Sequence, residues 1–322
     1  MKRKIYSMFI ILSLVTLIFL FLIYSNDVID TVNFSISIWK DHLIPSLFPF
    51  FIVSELLINY GFIDLLGESL KGFMNKYFHL PGEASFVLIG SLISGFPSSS
   101  KYINELLDKN KINISEANYL LKFNHFSNPL FVISTVGTLI LNNKNTGVLI
   151  YIVHILSNFL IAMIYRPQKC NYTHNKSSLS EGFEKMHNKR IKNNLSFSEI
   201  LSNSIFNTFK TLLLLLGIIT IFLIINTVIN KIFAINPLSS SIISGLLEMT
   251  GGIKNIAILN IPLNVKTAII TFFLSFGGIS IHMQVISILS NKNIKYFSYL
   301  KSRILHGIIS SVIIYLILYF IN

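Results

Sequence analysis

Apolar residues in this chain come in long blocks, not in the alternation of a strand or the one-sided stripe of a soluble helix. A helix needs about 20 such residues to cross the hydrocarbon core of a bilayer. Blocks of that size cover residues 5–24, 43–60, 123–141, 147–165, 211–230 and 304–321. Three further blocks break the pattern. Residues 84–100 carry no charge but are short and interrupted by Gly90, Gly95 and Pro97. Residues 267–291 are long enough to span, yet Gly277 and Gly278 sit near their middle, and residues 239–259 contain Glu248. The pattern predicts an all-α polytopic membrane protein with about 7–8 transmembrane helices plus two re-entrant hairpins.

The blocks fall into two related halves. Residues 94–112, SGFPSSSKYINELLDKNKI, lie over 276–294, FGGISIHMQVISILSNKNI, without a gap. Each has a small-residue break, an amphipathic turn and a closing Asn or Lys before Ile. Upstream, residues 38–58 pair loosely with 205–225. The chain therefore divides into an N-terminal anchor (1–30), a first half (31–165) with a hairpin near 84–107, a hydrophilic linker (166–210), and a second half (211–322) with a hairpin near 267–291. Residues 61–83 and 101–122 read as amphipathic segments at the interface. With the N-terminus in the cytoplasm, and with 38–58 corresponding to 205–225, the halves become inverted repeats, the organisation of many secondary transporters; parallel repeats stay open. The inverted arrangement puts Lys292, Lys295, Lys301 and Arg303 on the outer side, against the positive-inside bias.

Composition removes the soluble alternatives. Of 322 residues 52% are hydrophobic and 12% charged, where a soluble domain carries about a quarter charged. The formal charge of +12 reads as positive-inside lysine, since no zinc spacing, basic helix or stacking-aromatic pattern points to nucleic acid. The basic excess of the linker places it in the cytoplasm. The single cysteine, Cys170, lies in that linker, which excludes an intrachain disulfide and offers a probe of its side.

The breaks carry the candidate chemistry. In hydrocarbon every backbone N–H and C=O needs a partner, so irregular backbone survives only inside protein or beside a wet cavity. Gly95, Phe96 and Pro97 cannot continue a helix, so 84–107 reads as a hairpin whose tip lies near Gly95–Ser100, with Ser98, Ser99 and Ser100 capping the returning helix. A helix N-terminus at such a tip offers N–H groups to an anion. Gly277, Gly278 and Ser280 make the matching tip. In FNHFSNPLF, residues 123–131, Asn124, His125, Ser127 and Asn128 stand at the mouth of a span, with Asn128 as a cap before Pro129. In SGLLEMTGG, residues 244–252, Glu248 and Thr250 sit beside glycines, and an acidic residue at membrane depth marks a functional position. His282 and Gln284 follow the second break. No metalloprotease, nucleophile-elbow, P-loop or metal-ligand motif is present; neither an enzyme nor a cofactor or metal site is expected.

Four of these stretches, LISGFPSSSK, LLKFNHFSNPLF, SGLLEMTGG and LSFGGISIHMQVISIL, resemble in sequence and order the sporulation integral membrane proteins of the YlbJ (SpoVV) type. These are nucleoside-recognition or gate-domain membrane proteins of endospore-forming Firmicutes. The resemblance runs from about residue 34 to the C-terminus, and departs at PSSSK, where that family more often has a Gly-Ala pair before the lysine. It implies a protein of the outer forespore membrane that moves dipicolinate, a small dianion, out of the mother cell. On that view Ser94, Gly95, Pro97, Lys101, Asn124, Ser127, Asn128, Pro129, Glu248, Thr250, Gly277, Gly278, Ser280, His282 and Gln284 are motif positions. Most are substrate-contacting candidates, with Lys101 as a point charge and Glu248 and Thr250 in coupling or gating. The expected partners are a small anionic substrate and the lipid bilayer, with a homo-oligomer left open. The alternatives are a nucleoside or cell-wall-precursor transporter and a non-transporting forespore envelope assembly protein.

Overall fold

A computed structural model of the chain describes residues 2–168, 178–233 and 235–321. Cys170 lies outside them. Among the described residues every regular element is a helix. Helix α1 (Lys2–Ile23) buries none of its apolar window, as suits a helix surrounded by lipid. Helix α2 (Ser25–Ile38), which the sequence assigns partly to the anchor, packs instead along α10 (Phe197–Ile232). Thr31 and Thr227 share a hydroxyl hydrogen bond of 2.9 Å, Ser35 and Thr220 one of 2.7 Å, and Lys231 pairs with Asp27 at 2.7 Å.

Among the described residues five helical stretches are long and apolar enough to cross a membrane, Leu263–Ile288 counted as one, or six if α3 (Ile44–Asn59) and α4 (Phe62–Phe78), bent by 84°, count as one. The count falls below the expected 7–8 because apolar blocks hide breaks. Gly61, at φ +84°, turns α3 onto α4. Residues 124–128 leave the helical path between α7 (Ile114–Phe123) and a π-helix (Phe131–Ile140). Glu248 interrupts the block at 239–259. The linker also holds more structure than its composition suggests: α9 (Leu179–Lys192) docks on α4, where Lys185 and Lys71 both pair with Glu68. Helix α10 starts inside the linker, at a capping box between Ser196 and Glu199.

The first hairpin forms where the sequence places it. Helices α5 (Ser85–Ser94) and α6 (Ser98–Asp108) fold back on each other around Gly95–Pro97. A Cβ at Gly90 would stand 2.7 Å from the Tyr102 ring, which fixes how closely the two helices approach. Both ends of the hairpin emerge together, because Lys111 just beyond α6 bonds Asp64 at 2.5 Å and reaches Glu83 just before α5 at 3.6 Å. Partial burial works against the Lys111 charge, but these two carboxylates outweigh it and hold the ammonium above the usual lysine range.

The second hairpin is displaced from its expected place. It consists of α11 (Pro237–Leu247) and α12 (Met249–Ile258), folded at Glu248. The two helices cross with backbone touching backbone: a Cβ on Gly252 would stand 2.1 Å from the Cα of Gly245. By contrast, Gly277 separates α13 (Leu263–Phe276) from α14 (Gly278–Ile288) without folding them side by side, and α14 goes on to pack against α10 and α11. Overlaying 94–112 on 276–294 therefore matched breaks of two different kinds. The structural counterparts are α5–α6 with α11–α12, and the interrupted α7/π-helix with the interrupted α13/α14. The pair that closes the two halves is α8 (Lys144–Ile164) with α15 (Tyr296–Ile321).

In this register the repeats are inverted. Helix α10 runs from the linker end, where Asn207 bonds Glu55, to the far end, where Ser240 donates to Asn230 at 2.6 Å. Hairpin 1 opens at the linker end and hairpin 2 at the far end. Lys292 pairs with Asp108, and the Lys295 N–H donates to Asn118 at 2.7 Å, so both lysines sit at the linker end and the charge conflict raised by the sequence disappears. A sided thiol-labelling experiment checks this topology in a Cys170→Ser background. Lys76→Cys and Lys109→Cys are expected to react with an impermeant reagent from one face and Asn260→Cys from the other; all three reacting from one face would refute it. Gly82 cannot carry such a probe, because a Cβ there would lie 1.9 Å from the Gly67 carbonyl oxygen.

Candidate functional site

Two hairpin tips and two helix interruptions come together in the middle of the bundle. At the first tip the Gly95 φ of +78° belongs to the glycine region, and a Cβ would stand 2.5 Å from the Asn128 nitrogen. The chain thus lies directly on the first interruption. The Phe96 N–H donates to the Phe126 carbonyl at 2.6 Å, and Asn128 Nδ2 donates to the Ser94 carbonyl at 3.3 Å. Each irregular segment supplies partners that the other lacks. The second tip and second interruption meet likewise: a Cβ on Gly278 would stand 3.2 Å from the Gly245 carbonyl oxygen and the Met249 nitrogen. The two interruptions also touch, since a Cβ on Gly277 would stand 2.6 Å from His125 Nε2.

Beside this crossing lies a cavity of about 290 Å³. Its walls include Phe96 and Asn128 from the first half, Met249 and Thr250 from the second, Ser134 and Thr135 of the π-helix, and Leu43 and Leu47 at the start of α3. Of the residues expected to contact substrate, Asn128 reaches this cavity, and Thr250 does so among the gating candidates. Asn128 also caps as expected, its Oδ1 accepting from the N–H groups of Leu130 (2.8 Å) and Phe131 (3.3 Å).

The other candidates lie behind the wall. Ser94, Pro97, Ser98, Ser99, Ser100, Asn124, Ser127, Ser280, His282 and Gln284 are all buried. The three serines do not cap α6: Pro97 holds the cap position, and the Ser100 hydroxyl donates back to the Pro97 carbonyl (2.6 Å). A serine inside the first turn reaches the preceding carbonyl more readily than the N–H groups ahead of it. Lys101 does not stand free at an entrance; it forms a buried ion pair with Glu55 at 2.6 Å. Glu248 closes its own hairpin, accepting from the Gly251 N–H at 2.9 Å and the Thr250 hydroxyl at 3.1 Å. The α12 N-terminus is thus occupied by an internal carboxylate, and hairpin 1 keeps the uncapped helix start.

Comparison with known proteins bears on this arrangement. No protein-family model matches the chain, and no solved structure matches it. The chain is 29% identical over 307 residues to the sporulation integral membrane protein YlbJ of Bacillus subtilis (strain 168), covering 88% of this chain and 75% of that protein. Over most of its length the chain is thus similar to a sporulation integral membrane protein of the YlbJ type. Its multi-pass helical bundle agrees with that similarity.

The chain holds a polar layer beneath the crossing that no sequence motif pointed to. Arg303 is fully buried, and no carboxylate of the described residues lies within ion-pair distance of it. Its guanidinium donates to Asn158 Oδ1 (3.3 Å), His306 Nδ1 (3.0 Å) and the Lys122 carbonyl, joining α15 to α8 and to the last turn of α7. Arginine only donates, so His306 accepts at Nδ1 and carries its proton on Nε2, which faces Ser157 Oγ at 2.9 Å. His154 has the opposite tautomer: Nε2 accepts from the Ser127 N–H (3.0 Å), and Nδ1 donates to Ser275 Oγ (2.9 Å). Asn158 Nδ2 donates to the His125 carbonyl at 2.7 Å, and Tyr299 bonds His125 Nδ1 at 3.1 Å. The layer therefore supports residues 122–127 from below. The signal was present in the sequence: His154, Ser157 and Asn158, like Arg303, His306 and Ser310, recur at one-turn spacings inside long apolar helices.

Arg303→Ala leaves three buried acceptors unpaired, at about 1–3 kcal/mol each. The thermal midpoint of the detergent-purified variant is expected to fall well below that of Lys301→Ala, an exposed neighbour on the same helix. Equal midpoints would show that Arg303 does not hold the interruption.

Proposed function

We propose that this protein is a transporter of a small organic anion, dipicolinate, out of the mother cell across the outer forespore membrane, and that it performs no catalysis. The observation that supports this best is the meeting of two oppositely opening hairpins and two interrupted helices at one cavity within the bundle. Inverted repeats with irregular backbone at the centre are how alternating access is commonly built. The name of the Bacillus relative supplies the setting, sporulation. The 290 Å³ cavity sits near the lower bound, about 300 Å³, of small-molecule sites. Phe96 offers a flat face for a pyridine ring, and Asn128, Ser134, Thr135 and Thr250 offer hydrogen bonds to carboxylates.

A second reading has its own support. Among the described residues, those lining this cavity include no cation and one carboxylate, Asp41, which suits an uncharged ring compound such as a nucleoside. Uptake into proteoliposomes holding this protein alone separates the two. Labelled dipicolinate is expected to accumulate above the protein-free level, with excess unlabelled dipicolinate competing and uridine not. Competition by uridine alone would favour the nucleoside, and no uptake of either would sink both readings.

Glu248 is proposed to couple flux to protonation. Its carboxylate is buried at the tip of hairpin 2, with Gly251 and Thr250 as its partners and, among the described residues, no cation within ion-pair distance. Glu248→Gln keeps an acceptor for the Gly251 N–H, so the variant is expected to fold and insert while its flux loses the parent's dependence on pH. A parent-like rate and pH profile would reduce Glu248 to a helix cap.

A further inference from the structure

A second cavity, of about 340 Å³, opens at the linker end between α3 and the start of α10, with Glu55, Asn59, Asn203 and Asn207 in its wall. Both cavities share α3: Leu47 faces the first and Glu55 the second, eight residues apart, or about 12 Å along the helix. Between them stands Phe51, fully buried and packed with Leu47, Leu212 and Leu215. Lys101 closes the same point, its Nζ 4.5 Å from the centre of the Phe51 ring and 2.6 Å from Glu55 Oε1.

We propose that Lys101, Glu55 and Phe51 form the gate between the two cavities, and that a carboxylate of the transported solute opens it by replacing Glu55 on Lys101. This rests on the transporter reading and extends it. The two partners are not equivalent. Lys101 is buried, and its other near neighbour is a phenyl ring, so it needs an anion in every state; a buried ammonium left alone is strongly disfavoured. Glu55 has another place to go, because it lines the linker-end cavity and already accepts from Asn207 at 3.4 Å. When a solute carboxylate takes Lys101, Glu55 turns to water and amides, and the cation is drawn off the Phe51 ring. Glu55 thus stands, in the empty protein, where the solute's own carboxylate will bind. The exchange conserves the pairing of Lys101, breaks no covalent bond and needs no other ion. It also gives the transporter a cation, which the described residues of the first cavity's walls do not supply.

The test reads the gate without requiring flux. In a Cys170→Ser chain in sealed vesicles, Thr135→Cys reports on the first cavity and Asn203→Cys on the second. An impermeant methanethiosulfonate is supplied only at the face from which Asn203→Cys is modified. Thr135→Cys is expected to be protected in the parent. Pyridine-2,6-dicarboxylate, or the substitution Glu55→Gln, is expected to raise its modification rate on the order of tenfold, whereas uncharged pyridine-2,6-dimethanol does not. Lys101→Arg is expected to keep the response. If Thr135→Cys reacts at one rate with and without the dicarboxylate while Asn203→Cys reacts normally, the gate is overturned, whatever Glu55→Gln does. Uptake measured in the same vesicles keeps the two ideas apart. A labelling response with no uptake defeats the transporter reading, and normal uptake with no labelling response defeats the gate.

Discussion

The hydrogen bond from the Phe96 N–H to the Phe126 carbonyl states the constraint on which this fold depends. A chain that leaves the helix at membrane depth must find partners for the backbone groups it releases, and lipid supplies none. This protein solves the problem by bringing its breaks together, so that each irregular segment completes another. The hairpin tips and helix interruptions are therefore one device in four pieces. Gly95 and Gly252 have no room for a Cβ because chain passes directly over chain there, and at Gly245 the Phe273 ring fills that place.

Much of this was legible in the sequence. The long apolar blocks, the basic linker and the break at Gly95–Pro97 all stand out against the monotony of a span. Asn128 before Pro129 reads as a cap and is one. The second hairpin was harder. Its fold-back rests on Glu248 leaving the helical path while its side chain caps the next helix, and a single acidic residue in an apolar run looks more like a reactive group than a turn. Gly277 and Gly278, as paired glycines, resemble a tip, but they interrupt a helix without reversing it.

The site was less legible than the fold, because motif position and cavity position are different properties. Ser98, Ser99, Ser100, Ser280, His282 and Gln284 are polar residues near breaks, as the sequence shows, yet they face inward to neighbouring helices and not to the cavity. Much of the cavity wall is ordinary apolar surface, Leu43, Leu47 and Met249, which no motif distinguishes. Lys101 illustrates the limit: its charge is visible in the sequence, but its partner Glu55 lies on another helix and does not announce the pairing.

Arg303 has a consequence for how the protein is made. It belongs to the last helix, while the carbonyl of Lys122 and the amide of Asn158 belong to α7 and α8, synthesised well over a hundred residues earlier. Until α15 leaves the ribosome and enters the bilayer, α8 alone holds the stretch around His125, through His154 and Asn158, while the Lys122 carbonyl and Asn158 Oδ1 wait for their donor. A nascent chain that stalls in the linker leaves those acceptors open to lipid. Quality control that recognises unpaired polar groups in membranes would act on such a truncated product and pass the finished one.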